Sequence, residues 1–178
     1  IPGAHASRYA IDARDADSTW RTVYRVERGN GGSDPIPLPE LDATALRIRL
    51  LGAGRDSGQA LRDVAVQPLA WTATPNDFAT AVAATARRGL YPRYLLAEQQ
   101  YWTIVGISGV RSRPLLGEVG SIEPFSGGFS IEPFLYEGSR LLTWSSARTT
   151  HALADGDLPI PSVMRDHGGT LGLLVTAF

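Results

Sequence analysis

A period of two, set by short runs in which apolar and polar residues alternate, constrains this chain more than any other feature. Leu46, Ile48 and Leu50 alternate with Arg47 and Arg49, and successive side chains of a strand point to opposite faces of its sheet. Trp20, Thr22, Tyr24 and Val26 are expected to share one face, with Arg21, Arg25 and Glu27 joining Val23 on the other. Such a pattern suits an antiparallel sheet with one face packed and one mostly wet. Between the two runs lies Gly29-Asn30-Gly31-Gly32-Ser33-Asp34-Pro35, where glycine admits positive φ and proline removes a ladder donor, so a surface loop is expected.

Further strands are expected at Leu61–Gln67, after a turn over 52–58, and at Tyr101–Ile107, Gly128–Tyr136, Arg140–Ser145, Ser162–Arg165 and Thr170–Phe178. Glu137-Gly138 and His167-Gly168-Gly169 supply turns between them. One helix interrupts the pattern: Thr74 is placed to cap it, Pro75 pre-sets its first turn, and Phe78, Val82 and Ala86 fall on one face before Arg87, Arg88 and Gly89. The expected class is therefore mainly β, in antiparallel sandwich-like segments, with one linking helix near 75–87. The expected domains are 1–71, a helical linker at 72–97, and 98–178. A pentapeptide also recurs, Ser121-Ile122-Glu123-Pro124-Phe125 and Ser130-Ile131-Glu132-Pro133-Phe134. Two copies are too few for a solenoid and read as two neighbouring strand entries.

Charge removes several function classes. All 17 basic residues are arginine, and against 18 acids the formal charge is -1, which gives no overall field for nucleic-acid phosphates or an anionic membrane. With no cysteine, thiolate nucleophiles and Cys-ligated zinc are excluded. The apolar runs fall short of the ~20 residues that a spanning helix needs. Ile1 at the start and the apolar run closing at Phe178 lead to the expectation of a piece of a longer protein.

Glycoside hydrolysis would draw on a carboxyl pair, and Glu98, Glu123, Glu132, Asp155 and Asp157 are the candidates among the acids of the second half. Asp155-Gly156-Asp157 equally forms a turn. No Gly-x-Ser-x-Gly elbow occurs, and His5, His151 and His167 stand apart from one another. Asp12, Asp15 and Asp17 make a calcium candidate through their hard oxygen ligands, against the plainer reading of a hairpin turn. Tyr101, Trp102 and Trp144 are candidates for stacking on sugar rings, with Glu98 and Asn30 among the polar groups placed to meet hydroxyls. Core packing is the alternative for the aromatics.

The run Asp15-Ala16-Asp17-Ser18-Thr19-Trp20-Arg21-Thr22-Val23 resembles the strand-turn-strand of discoidin-like (coagulation factor 5/8 type C) domains. Leu46–Leu50 and Leu61–Val66 resemble later strands of that fold, so the likeness covers the back half of such a domain. Glu98–Gly106, Gly128–Leu135 and Leu158–Val163 resemble the opening β-supersandwich of bacterial six-hairpin glycosidase-like proteins. These resemblances imply a non-catalytic carbohydrate-binding or domain-positioning region, with the catalytic carboxylates elsewhere in the parent chain and a secreted or periplasmic setting. A glycoside hydrolase acting through its own carboxylate pair, and an adhesion module gripping protein or lipid head groups through the 29–35 loop, are the rival expectations.

Overall fold

The computed structural model describes residues 4–53, 58–106, 108, 109, 111, 113–169 and 171–178. Ile107, Thr170 and the 54–57 part of the expected turn lie outside them. The protein is mainly β, and among the described residues every strand pairing is antiparallel and one α-helix is present. Contacts divide the chain into two compact units, Ile1–Phe78 and Ala79–Phe178; residues 79–97 fall within the second.

The first unit is a three-stranded sheet of β1 (Ala6–Arg14), β2 (Trp20–Val26) and β3 (Ala45–Ala53), with β1 in the centre. Tyr9 and Ile11 form its buried core with Val23, Tyr24, Val26, Ile48 and Leu50, and Ile36 and Leu38 from the following loop cover them. Tyr9 ties that loop down by donating its hydroxyl to Asp34 Oδ2 at 2.7 Å.

The alternation in β3 holds, since Ile48 and Leu50 pack inward while Arg47 and Arg49 take the other face. In β2 it does not. The register jumps between Ile11↔Tyr24 and Asp12↔Thr22, leaving Val23 as an extra residue. A bulge of this kind flips the side-chain phase: Trp20 and Thr22 lie on the face opposite to that of Tyr24 and Val26.

The strand expected at Leu61–Gln67 is absent. These residues have no regular structure, and Leu61, Val64 and Val66 are 45%, 56% and 78% exposed. Alternation alone does not make a strand where no partner takes up the ladder, so the segment likened to a discoidin closing strand is not one.

Helix α1 (Pro75–Thr85) starts as its sequence predicts. Thr74 Oγ1 accepts the Asp77 amide at 3.1 Å, which meets one orphan donor of the helix, and donates to the Asp77 carboxylate at 2.7 Å.

In the second unit, β4 (Trp102–Ile104), β5 (Leu115–Gly117) and β6 (Ile122–Glu123) form one sheet, and β9 (Arg148–Ala154), β10 (Leu158–Asp166) and β11 (Gly172–Thr176) another. Val105, Leu116 and Ile122 meet Val163, Val175 and Ala177 in one core, so these sheets pack sandwich-fashion. A small hairpin, β7 (Leu135–Glu137) and β8 (Arg140–Leu142), turns at Gly138. The strand expected over Gly128–Tyr136 is confined to its end, and Arg140–Ser145 ends in a 3-10 turn at Trp144–Ser146. The two pentapeptide copies face each other: Ile122 and Ile131 exchange both backbone hydrogen bonds, at 3.0 and 2.8 Å.

Candidate functional site

Four of the five residues singled out for sugar contact lie in the second unit, where Glu98 and Trp144 spend their polar groups on the protein itself. Glu98 accepts a forked pair from Arg88 at 3.0 and 2.8 Å and a third bond from Arg93 at 3.1 Å. The Arg88 bonds, then those of Arg93, hold its carboxyl below the usual range. Arg93 also pairs with Glu118, whose amide donates to Tyr101 O at 3.0 Å. Trp144 is 6% exposed, and the guanidiniums of Arg88 and Arg93 lie 4.7 and 5.7 Å from its ring centre. Its indole N–H donates to Tyr91 O at 3.1 Å.

Trp144 is therefore a core residue in a cation–π stack, the packing alternative for the aromatics. Gly89 supports the stack: it has φ +98°, and a Cβ there would run into the hydroxyls of Thr143 and Ser145, the latter bonded to Arg88 O.

Tyr101 is 63% exposed, while Trp102 is half-buried beside Gly117. Asn30 belongs to the first unit, where its Oδ1 accepts the Gly32 amide at 2.8 Å and shapes the loop.

The three aspartates weighed for calcium are not gathered as a ligand set. Asp12 is 2% exposed, and both its oxygens are taken by Arg49, Thr22 and Arg47. Those bonds, Arg49 first, hold its carboxyl far below the usual range. Asp15 and Asp17 shape the β1–β2 turn, through Arg21 at 3.3 Å and the Thr19 amide at 3.0 Å. Among the described residues no cluster of three or more acidic or histidine side chains is suited to a metal.

A different group of side chains is better placed to meet a ligand, and the pentapeptide echo was its signal in the sequence. Across the Ile122–Ile131 bridge, Glu123 falls opposite Ser130, and Glu132 takes the diagonal position on the same face. The Ser130 hydroxyl donates to Glu132 Oε1 at 2.8 Å. Tyr94, 49% exposed, interacts with Ser130 and with both glutamates. Phe125, 48% exposed, spreads its ring over Gly128 and meets Phe129 edge-on with centroids 5.8 Å apart.

Burial pushes the Glu132 carboxyl up, against the Ser130 bond and the Arg165 charge. Arg165, from β10, is 2% exposed and donates to Pro133 O beside it; its own pKa is lowered by burial. The face thus combines two hydroxyls, the Glu123 carboxyl and a Glu132 carboxyl biased toward its protonated form, and Phe125 follows two residues after Glu123.

A serine nucleophile finds no support in the one Ser–His hydrogen-bond contact among the described residues. Ser146 Oγ lies 3.4 Å from His167 Nδ1, but it already donates to Thr143 O at 3.0 Å and receives the Thr143 amide. Comparison with protein families, curated proteins and solved structures finds no match to this chain.

Proposed function

We propose that the chain is a carbohydrate-recognition module that binds sugar through the Tyr94–Phe125–Glu132 face of its second unit. The observation that carries this reading is the grouping of the Tyr94 and Ser130 hydroxyls with the Glu123 and Glu132 carboxyls, with the half-exposed Phe125 ring two residues along the chain from Glu123. Sugar rings offer a C–H face to an aromatic ring and hydroxyls to donors and acceptors at its rim, and this face has both kinds of group. A place in a larger bacterial carbohydrate-active protein, in which the module positions or targets a catalytic domain, belongs to the same proposal.

Titration of the full chain by calorimetry against a panel of plant and bacterial polysaccharides tests it. Binding to at least one glycan, weakened by roughly tenfold in Phe125→Ala, is expected. Failure of every glycan to bind, or binding indifferent to Phe125→Ala, refutes it.

One observation favours a second reading, hydrolysis of a glycoside. Glu123 and Glu132 share a face, and burial biases Glu132 toward the protonated form that a general acid requires. Turnover of aryl glycosides by the chain, abolished in Glu132→Gln, would establish it; no turnover of any aryl glycoside would dismiss it.

A further inference from the structure

The outer face of the first unit carries an arginine array that the sugar-binding reading does not use. The register places three rows across it: Trp20, Arg14 and Ala45; Thr22, Asp12 and Arg47; Arg25, Ala10 and Arg49. Four guanidiniums thus share the face with a single carboxylate. Asp12 holds Arg47 and Arg49 through their Nε and Nη2 atoms, at 2.6–3.1 Å, so both side chains are fixed in place. Each still presents its Nη1 group, and the two side chains are 44% and 39% exposed.

These two arginines stand on β3, which pairs with β1 on one side and is the edge of the sheet on the other. Among the described residues no strand pairs with that second side. A charged edge is a common guard against strand addition. The guard is selective, because it repels cationic strands, disfavours apolar ones and attracts an acidic one.

The spacing is also specific. Arg47 and Arg49 are two residues apart, ~6.7 Å along the strand, which is the pitch of same-face side chains in any strand laid beside them. We propose that the free edge of β3 accepts an extended acidic peptide with Asp or Glu at alternate positions, adding a strand whose carboxylates pair with Arg47 and Arg49.

The face itself argues for a peptide over other polyanions. The Trp20 ring is covered by Arg47 at 4.3 Å and Arg14 at 5.8 Å, so it is not free to stack on a base or a sugar ring. The chain's net charge of -1 supplies little long-range attraction for a phosphate polymer. Only a peptide can continue the backbone ladder of an edge strand.

Fluorescence anisotropy with the full chain and two labelled eight-residue peptides of equal composition tests the idea. One alternates Thr and Glu; the other has them in blocks of two. The alternating peptide is expected to bind roughly tenfold more tightly, because only its glutamates fall on one face in register. Its binding should weaken with salt and by about fivefold in Arg47→Gln, in which Arg49 still holds Asp12. Should Arg47→Gln fail to fold, the peptide comparison on the native chain decides alone. Equal binding of the two peptides, no binding of either, or equal competition by polygalacturonate or oligo(dT) overturns the proposal.

Discussion

Gly127 and Gly128 sit side by side at the tip of the candidate sugar face, and alanine should act on them in opposite ways. Gly128 does not have a positive φ, but a Cβ there would fall 2.5 Å from Phe125 Cε2 and 2.8 Å from Cδ2 and Cζ. Carbon–carbon contacts relax near ~3.5 Å, so the ring must retreat by about 1 Å. That retreat disturbs the edge-to-face contact with Phe129, a pair worth about 0.5–1.5 kcal/mol when intact.

Gly128→Ala should therefore lower Tm by only a few degrees, at roughly 2–4 °C per kcal/mol for a chain of this length. Because the moved ring is the proposed sugar platform, glycan affinity should fall by about tenfold. Gly127 is the converse: φ is +74° with nothing within 4 Å of a Cβ. Gly127→Ala should cost about 1–2 kcal/mol of stability through strain, with glycan affinity unchanged. Scanning fluorimetry and calorimetric titration of both variants check this. Equal glycan affinity in Gly128→Ala and the native chain would refute the placement of Phe125 in the site.

Four further outcomes follow from the same geometry. Trp144→Ala should cost about 3–5 kcal/mol, by emptying a buried site and stripping the rings from Arg88 and Arg93, while glycans leave native Trp144 fluorescence unchanged; denaturant melts and emission spectra test both parts. Glu132 is raised above its ordinary 4.5, so the folded state retains a proton that the unfolded state releases. Its contribution is then greatest below that value and is lost as pH rises through its folded pKa. Glu132→Gln should flatten that fall in a series of Tm against pH. Asp12 and Glu98 have the opposite sign, their depressed pKa values giving stability that is lost on acidification, and Asp12→Asn should destabilise the first unit at neutral pH. Adding calcium or a chelator should leave Tm unchanged, since the Asp12 oxygens are already taken by arginine and threonine.

What the sequence disclosed divides along the line between local and non-local causes. The α1 cap, the β3 alternation, the Gly138 turn and the 29–35 loop depend on residues a few positions apart, and all were legible. The phase of β2 was not, because the bulge at Val23 is set by Asp12 on β1, which pulls Thr22 to the arginine face while Tyr24 stays in the core. Leu61–Gln67 carries a strand-like pattern and lacks only a neighbour, something that no pattern within the segment can report.

The candidate site divides in the same way. Trp144 and Glu98 drew attention as an aromatic and an acid, but Arg88 and Arg93 decide their roles by covering one and binding the other. The pentapeptide echo was visible from the start; its meaning depends on the antiparallel pairing of Ile122 with Ile131, which brings Glu123, Ser130 and Glu132 to one face. A repeat that pairs with itself doubles whatever chemistry it carries, and here that is a glutamate, one copy accepting the Gly127 amide at 2.8 Å and the other pressed by burial toward its proton. Two identical pentapeptides become two different groups through the environment of each copy, and Glu132→Gln should accordingly remove a pH dependence of Tm that the native chain shows.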